Sequence, residues 1–143
     1  DRYVTECDYF ATVYNRVRNQ GYEIGEDTIF VGALRDQSST IANYSYQAGN
    51  MLNDFIVAHD DVLFSGDASG TSFSAPRVSG AAALVRQKFP NLTGIQIKQV
   101  LLQTATDLGA SGPDNIYGYG KLNLENAMSP QGRVIAKWEY QKL

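Results

Sequence analysis

Between Ser72 and Phe89 the chain carries the small residues Ala75, Ser79, Gly80, Ala81, Ala82 and Ala83 beside the large apolar Val78, Leu84 and Val85. A helix built from this segment is small or apolar on most sides, and such a helix is a buried one. Gly80 is tolerated in it where another backbone packs closely. Pro76 fits near the helix start, where its missing N–H is expected to leave no bond unmade. A fold that covers such a helix needs further layers around it, which the rest of the chain must supply.

In DYFATVYNRVR, residues 8 to 18, Phe10, Val13, Tyr14 and Val17 share one helical face, which predicts a short amphipathic helix. The run TIFVGAL, Thr28 to Leu34, is apolar, rich in β-branched residues and bounded by polar stretches, which suits a strand buried on both faces of a parallel sheet. A polar turn spans Asp36 to Ser39. Two weaker strand candidates follow, Thr40 to Tyr46 and Phe55 to Ala58, separated by the glycine-containing AGNML segment. Thr93 to Gln96 reads T-G-I-Q, a capping box, so a helix begins there. Ile97, Val100, Leu101, Thr104, Ala105 and Leu108 continue it at helical spacing, with Gly109 as its expected stop. After the turn-forming ASGPDNIYGYG, a brief helix is expected at Leu124 to Met128 and an edge strand in RVIAKWEY. Together these elements predict an α/β fold, a mostly parallel sheet flanked by helices.

Composition matters mainly for what it excludes. The chain has 143 residues, 43% of them hydrophobic, enough for one core. Its 19% charged residues and net charge of −3 provide no basic surface for a phosphate backbone, which argues against nucleic acid as a partner. One cysteine, Cys7, rules out an internal disulfide, and one histidine, His59, leaves no Cys/His cluster with zinc-ligand spacing. No apolar run approaches the roughly 20 residues needed to cross a bilayer, so no membrane span is expected in this chain. It reads as soluble, with any export signal expected upstream.

Chemistry concentrates in Gly70-Thr71-Ser72-Phe73-Ser74-Ala75-Pro76. Glycine permits a tight bend, the serine falls at a helix amino terminus, and small neighbours admit a substrate. The N–H groups and positive dipole end of that helix favour an oxyanion formed on attack by Ser72 Oγ, a geometry suited to acyl transfer. A serine at such a position more often simply caps a helix, and the isolated tripeptide Gly-Thr-Ser favours that reading.

The longer stretch GTSFSAPRVSGAAAL, Gly70 to Leu84, resembles the nucleophile signature of the subtilisin family of serine peptidases: glycine-threonine-serine, one variable residue, a small residue, then alanine and proline. TIFVGAL and IANYSYQAG are similar to the family's strand and following "YS.G" segment, and TGIQIKQVLLQTA to its penultimate helix. YGYGKLNLENAM resembles the glycine-containing turn and final helix that close the catalytic domain, so the likeness runs over residues 28 to 128. The resemblance implies that the chain is the carboxyl-terminal portion of one such domain. It implies peptide-bond hydrolysis through an acyl-enzyme on Ser72, with the Ser72 backbone N–H as one oxyanion donor.

In that family a histidine base, an aspartate that orients it and an asparagine donor complete the site, in the chain order Asp, His, Asn, Ser. No stretch before Ser72 resembles the motifs around the aspartate or the histidine. Both are therefore expected upstream, outside the chain, and the isolated chain is expected to be inactive. Asn15 and Asn19 lie in or beside the amphipathic helix and neither is assigned the asparagine's role. His59 stands in Ala58-His59-Asp60, where the family commonly has alanine-proline-glycine; it is read as a departure in a loop, without a catalytic role.

The resemblance implies further that Asp67, Ala68 and Ser69 border the substrate cleft, to which Gly70, Thr71 and Phe73 are added as candidates; the plainer readings are a polar turn and, for Phe73, a core aromatic. It implies no required cofactor. Calcium is a structural ion in many relatives, but Asp60, Asp61 and Asp67 lack regular ligand spacing, and a solvated loop is the preferred reading. The implied partners are a polypeptide substrate and the upstream part of the same domain, and the implied location is secreted or cell-envelope. The α/β-hydrolase elbow is excluded because Ser74 stands where it needs glycine; no Ser-x-x-Lys and no phosphate-cradling glycine loop occurs either. The alternatives kept open are a non-catalytic pseudopeptidase or assembly module on the same fold and, within serine peptidases, the sedolisin group.

Overall fold

Two five-residue strands lie at the centre of the structure, β1 (Phe30–Leu34) and β2 (Phe55–His59). They pair in parallel with Phe30 opposite Phe55 and Leu34 opposite His59. The computed structural model that shows this describes residues 16–17, 19–21, 26–35, 38–60 and 69–130. β2 is buried from Phe55 to Ala58, as expected for an apolar strand covered on both faces. Its second edge is closed by residues 119–122: Tyr119 N–H donates to the Phe55 carbonyl at 3.0 Å, Val57 N–H to Gly120 and Leu122 N–H to Val57, both at 2.9 Å. That closure requires close approach at Gly118, where a Cβ would stand 2.3 Å from the Phe55 carbonyl oxygen.

Thr40 to Tyr46 is not the strand its composition suggests. It touches β1 through a single antiparallel bridge, Leu34 to Ile41. Ala42 N–H then donates to the Ala33 carbonyl at 2.9 Å, and the Ser45 hydroxyl accepts from Ala33 N–H at 2.8 Å. A side-chain acceptor has taken the place of the next ladder bond, which ends the pairing. AGNML, read as a separator, belongs to a 3-10 helix at Gly49–Asp54 that leads into β2.

Helix α1 (Thr71–Lys88) packs against both strands and buries Ser74, Val78, Ala81 and Val85, a stripe at four- and three-residue spacing. Burial on most sides is not what the described residues show: Ala75, Ser79, Gly80, Ala83 and Leu84 are exposed. Helix α2 (Gly94–Gln103) begins with the expected capping box in full. Thr93 N–H donates to Gln96 Oε1 at 2.9 Å, and Gln96 N–H to Thr93 Oγ1 at 3.2 Å. It ends well before Gly109, because Thr104 Oγ1 donates back to the Val100 carbonyl at 2.6 Å and Thr106 exchanges two 2.8 Å backbone bonds with Lys121. Helix α3 (Leu124–Met128) stands where expected.

The main core joins Ile56 and Ala58 of β2, Val78, Ala81 and Val85 of α1, Ile97, Val100, Leu101 and Leu102 of α2, and Ala127 of α3. Lys98 is 3% exposed in its midst, paired with Asp54 at 2.6 Å and donating to the Glu26 carbonyl at 3.0 Å, so the buried charge is satisfied. This is an α/β arrangement, a parallel sheet flanked by helices. The expected edge strand in RVIAKWEY and most of the expected helix at 8 to 18 lie outside the described residues; Arg16 and Val17 are helical. No helix among the described residues is long and apolar enough to cross a membrane.

Candidate active site

Gly70 sets the geometry from which the site is built. Its angles, φ 143° and ψ 157°, fall in a region essentially reserved for glycine. A Cβ there would meet none of the described residues within 4 Å, and it is the backbone conformation that demands the glycine. Gly70 is the N-cap of α1, and its carbonyl accepts Phe73 N–H at 2.9 Å. Having no side chain, it leaves the capping position clear of any competing oxygen.

Ser72 is consequently the second residue of α1 and is exposed. The N–H groups of a helix's first two residues have no intrahelical acceptors, and the dipole end beside them favours negative charge. An oxyanion formed on a carbonyl attacked by Ser72 Oγ therefore meets donors that need no rearrangement. Pro76 corrects one expectation. As the sixth helical residue it does remove a ladder bond, and the carbonyl deprived of it is that of Ser72, four positions earlier.

The neighbouring residues divide sharply. Ser69 is exposed, Gly70 and Thr71 are half-buried, and Phe73 is 38% exposed, so the run from Ser69 to Phe73 forms one accessible surface and Phe73 is not a core aromatic. Ser74 is fully buried, and its hydroxyl has no hydrogen-bond partner among the described residues. Asp67 and Ala68 lie outside the described residues, as do Asp61 and Cys7.

His59 is the last residue of β2 and not a loop residue. Its Nδ1 is buried and has no hydrogen-bond partner among the described residues. Asp60, read from sequence as part of a solvated loop, is 2% exposed. Its backbone N–H donates to the Leu34 carbonyl at 3.3 Å. One carboxylate oxygen, Oδ2, accepts both the Tyr44 hydroxyl and, at 3.1 Å, the N–H of Gly70. Sequence reasoning missed this contact, which joins Asp60 to residues ten and sixteen positions away. Among the described residues no three His, Cys, Asp or Glu side chains gather as a metal site.

Comparison with known proteins gives this geometry its setting. A model of the subtilase family matches residues 26–120. The chain is 46% identical over 72 residues to an extracellular serine protease of Serratia marcescens, an overlap of 50% of this chain and 7% of that protein. It is 38% identical over 118 residues to serotype-specific antigen 1 of Mannheimia haemolytica, covering 73% of this chain and 13% of the relative. The chain thus spans a small part of the length of these curated relatives. Among solved structures, MycP1 from Mycobacterium smegmatis superposes with a TM-score of 0.60 at 31% identity, over 76% of this chain and 32% of that one. Fervidolysin from Fervidobacterium pennivorans, described as a keratinolytic enzyme related to subtilisin, gives 0.56 at 26% identity, over 76% and 20% respectively.

Proposed function

Since this chain belongs to the subtilase family, we propose that it is the nucleophile-bearing, carboxyl-terminal portion of a serine endopeptidase domain and that Ser72 forms the acyl-enzyme. The observation that carries the reading is the Gly70 turn, which spends a glycine-only conformation to present an exposed serine in the first turn of α1. Ser72 Oγ attacks the scissile carbonyl, passing its proton to a histidine base. The tetrahedral oxyanion is held by the Ser72 N–H and by an asparagine side chain. Collapse expels the amine, protonated by the same histidine, and water then hydrolyses the ester by the reverse sequence of proton transfers.

The base, its aspartate and the asparagine come from the upstream part of the domain, in the family's order. His59 is not assigned as the base; its Nδ1 is buried with no hydrogen-bond partner among the described residues. Without that upstream part the hydroxyl is a poor nucleophile, and the isolated chain is inactive. Substrates are polypeptides passing over the Ser69 to Phe73 surface. The extracellular serine protease among the relatives supports action outside the cytoplasm.

The test is a fluorophosphonate, which labels only activated serines, applied to the full-length protein and read by peptide mass spectrometry. One adduct at Ser72 is expected, with turnover falling by about 10⁶-fold in Ser72→Ala. A folded full-length protein that takes no label would establish the non-catalytic alternative.

A further inference from the structure

We propose that Asp60 is a positioning residue for this nucleophile: its buried carboxylate ties the Gly70 turn to the end of the sheet and so fixes the direction in which Ser72 leaves α1. The proposal rests on the reading of Ser72 as nucleophile. Three separate segments meet at Asp60. Its own backbone closes onto β1 through the Leu34 carbonyl. Tyr44, from the irregular segment after β1, donates its hydroxyl to Oδ2, and the same oxygen accepts Gly70 N–H at 3.1 Å across ten residues of sequence.

The physical need for such a tie is local. Gly70 occupies a conformation that ordinary backbone leaves, and such strain persists only where the surroundings over-determine it. Among the described residues nothing lies within 4 Å of where a Cβ on Gly70 would stand. The contact the structure shows to its backbone N–H is the hydrogen bond to the Asp60 carboxylate. Asp60 Oδ2 accepts the Gly70 N–H, and at 2% exposure water competes little for it.

The experiment uses the full-length protein and compares the unaltered form with Asp60→Ala, Asp60→Asn and Tyr44→Phe. Three quantities are read: the rate of fluorophosphonate labelling at Ser72, kcat and KM on a peptide substrate, and amide hydrogen exchange in the peptide containing Gly70. Asp60→Ala should label and turn over roughly tenfold to a hundredfold more slowly, the scale of a misplacement near 1 Å, while KM stays nearly constant. Asp60→Asn keeps an acceptor oxygen and should restore most of that rate. Tyr44→Phe should fall between the two. Exchange at Gly70 should quicken in Asp60→Ala.

Asp60→Ala that labels at the unaltered rate overturns the proposal, and so does Asp60→Asn that is folded but as slow as the alanine variant. If Asp60→Ala does not fold, Tyr44→Phe and Asp60→Asn decide: a Tyr44→Phe protein indistinguishable from the unaltered one overturns the tie. Failure of the peptidase reading is distinguishable, because the unaltered protein would then take no label at all; the exchange rate at Gly70 still reports whether Asp60 holds the turn.

Discussion

Gly70 lies at φ +143° with none of the described residues within 4 Å of where a Cβ would stand, whereas Gly118 lies at φ +57° with the Phe55 carbonyl oxygen only 2.3 Å from that point and Phe55 Cβ at 2.7 Å. Both positions demand glycine, for different reasons. Behind the site, Gly118 lets residues 119–122 come close enough to close the second edge of β2. At the site, Gly70 lets the chain bend into α1 so that Ser72 is exposed in its first turn. The scaffold uses glycine for proximity and the site uses it for direction. In the first case the absent side chain is the benefit; in the second the accessible backbone angle is, and the stability given up is recovered by hydrogen bonding to Asp60.

The comparison breaks first, if it breaks, at Gly118. Gly118→Ala must both hold a left-handed conformation and push residues 119–122 away from β2. Overpacking and the conformational term together should remove about 3 kcal/mol or more, measured by urea unfolding. An alanine tolerated there at little cost would mean that the second edge of β2 is loosely closed. Gly70→Ala should behave differently, losing about 1–3 kcal/mol from strain alone. Its larger effect should be on the site, with Ser72 labelling slowed at least about tenfold because the turn must relax to a different angle. If Gly70→Ala instead destabilised as much as Gly118→Ala while labelling at the unaltered rate, direction would not be what Gly70 supplies.

A smaller effect is expected at Thr93, which stabilises the scaffold without touching the site. Thr93→Ala removes the oxygen that accepts Gln96 N–H and should cost about 1 kcal/mol in urea unfolding, with Ser72 labelling unchanged. A drop in labelling rate here would show that α2 and the Gly70 turn are coupled through the core.

Thr93 also marks what could be read from the sequence. Capping chemistry is local, four residues long and stereotyped, so both bonds of the box were legible, and so was the run that became β1. The end of α2 was not, because it depends on Thr104 turning back to Val100 and on Thr106 pairing with Lys121, fifteen residues on. Thr40 to Tyr46 misled for the same reason: its composition suggested a strand, and the Ser45 hydroxyl took the place of a ladder partner. The exposed face of α1 escaped notice because small residues signal close packing without naming the partner. At the site, the glycine, the serine and the helix start were legible from one motif. Asp60 was not, since nothing local in Ala58-His59-Asp60 says that a carboxylate will be buried against Tyr44 and Gly70.

The finest test of the contrast lies at Tyr119, between two scaffold glycines. Burial, and secondarily the Asp54 carboxylate, raises the Tyr119 phenol above its ordinary value near 10. The folded protein therefore holds its phenolic proton more tightly than the unfolded chain does. That contribution to stability is complete below pH 10 and is lost as the pH climbs from there through the folded value. The protein should lose urea resistance above pH 10, and Tyr119→Phe should lose less over the same interval, a modest difference because the ring is only half-buried. Equal losses in both would mean that residues 118–120 open before the phenol ionises. In that event the close packing at Gly118 would contribute less to holding β2 than its 2.3 Å approach to the Phe55 carbonyl implies.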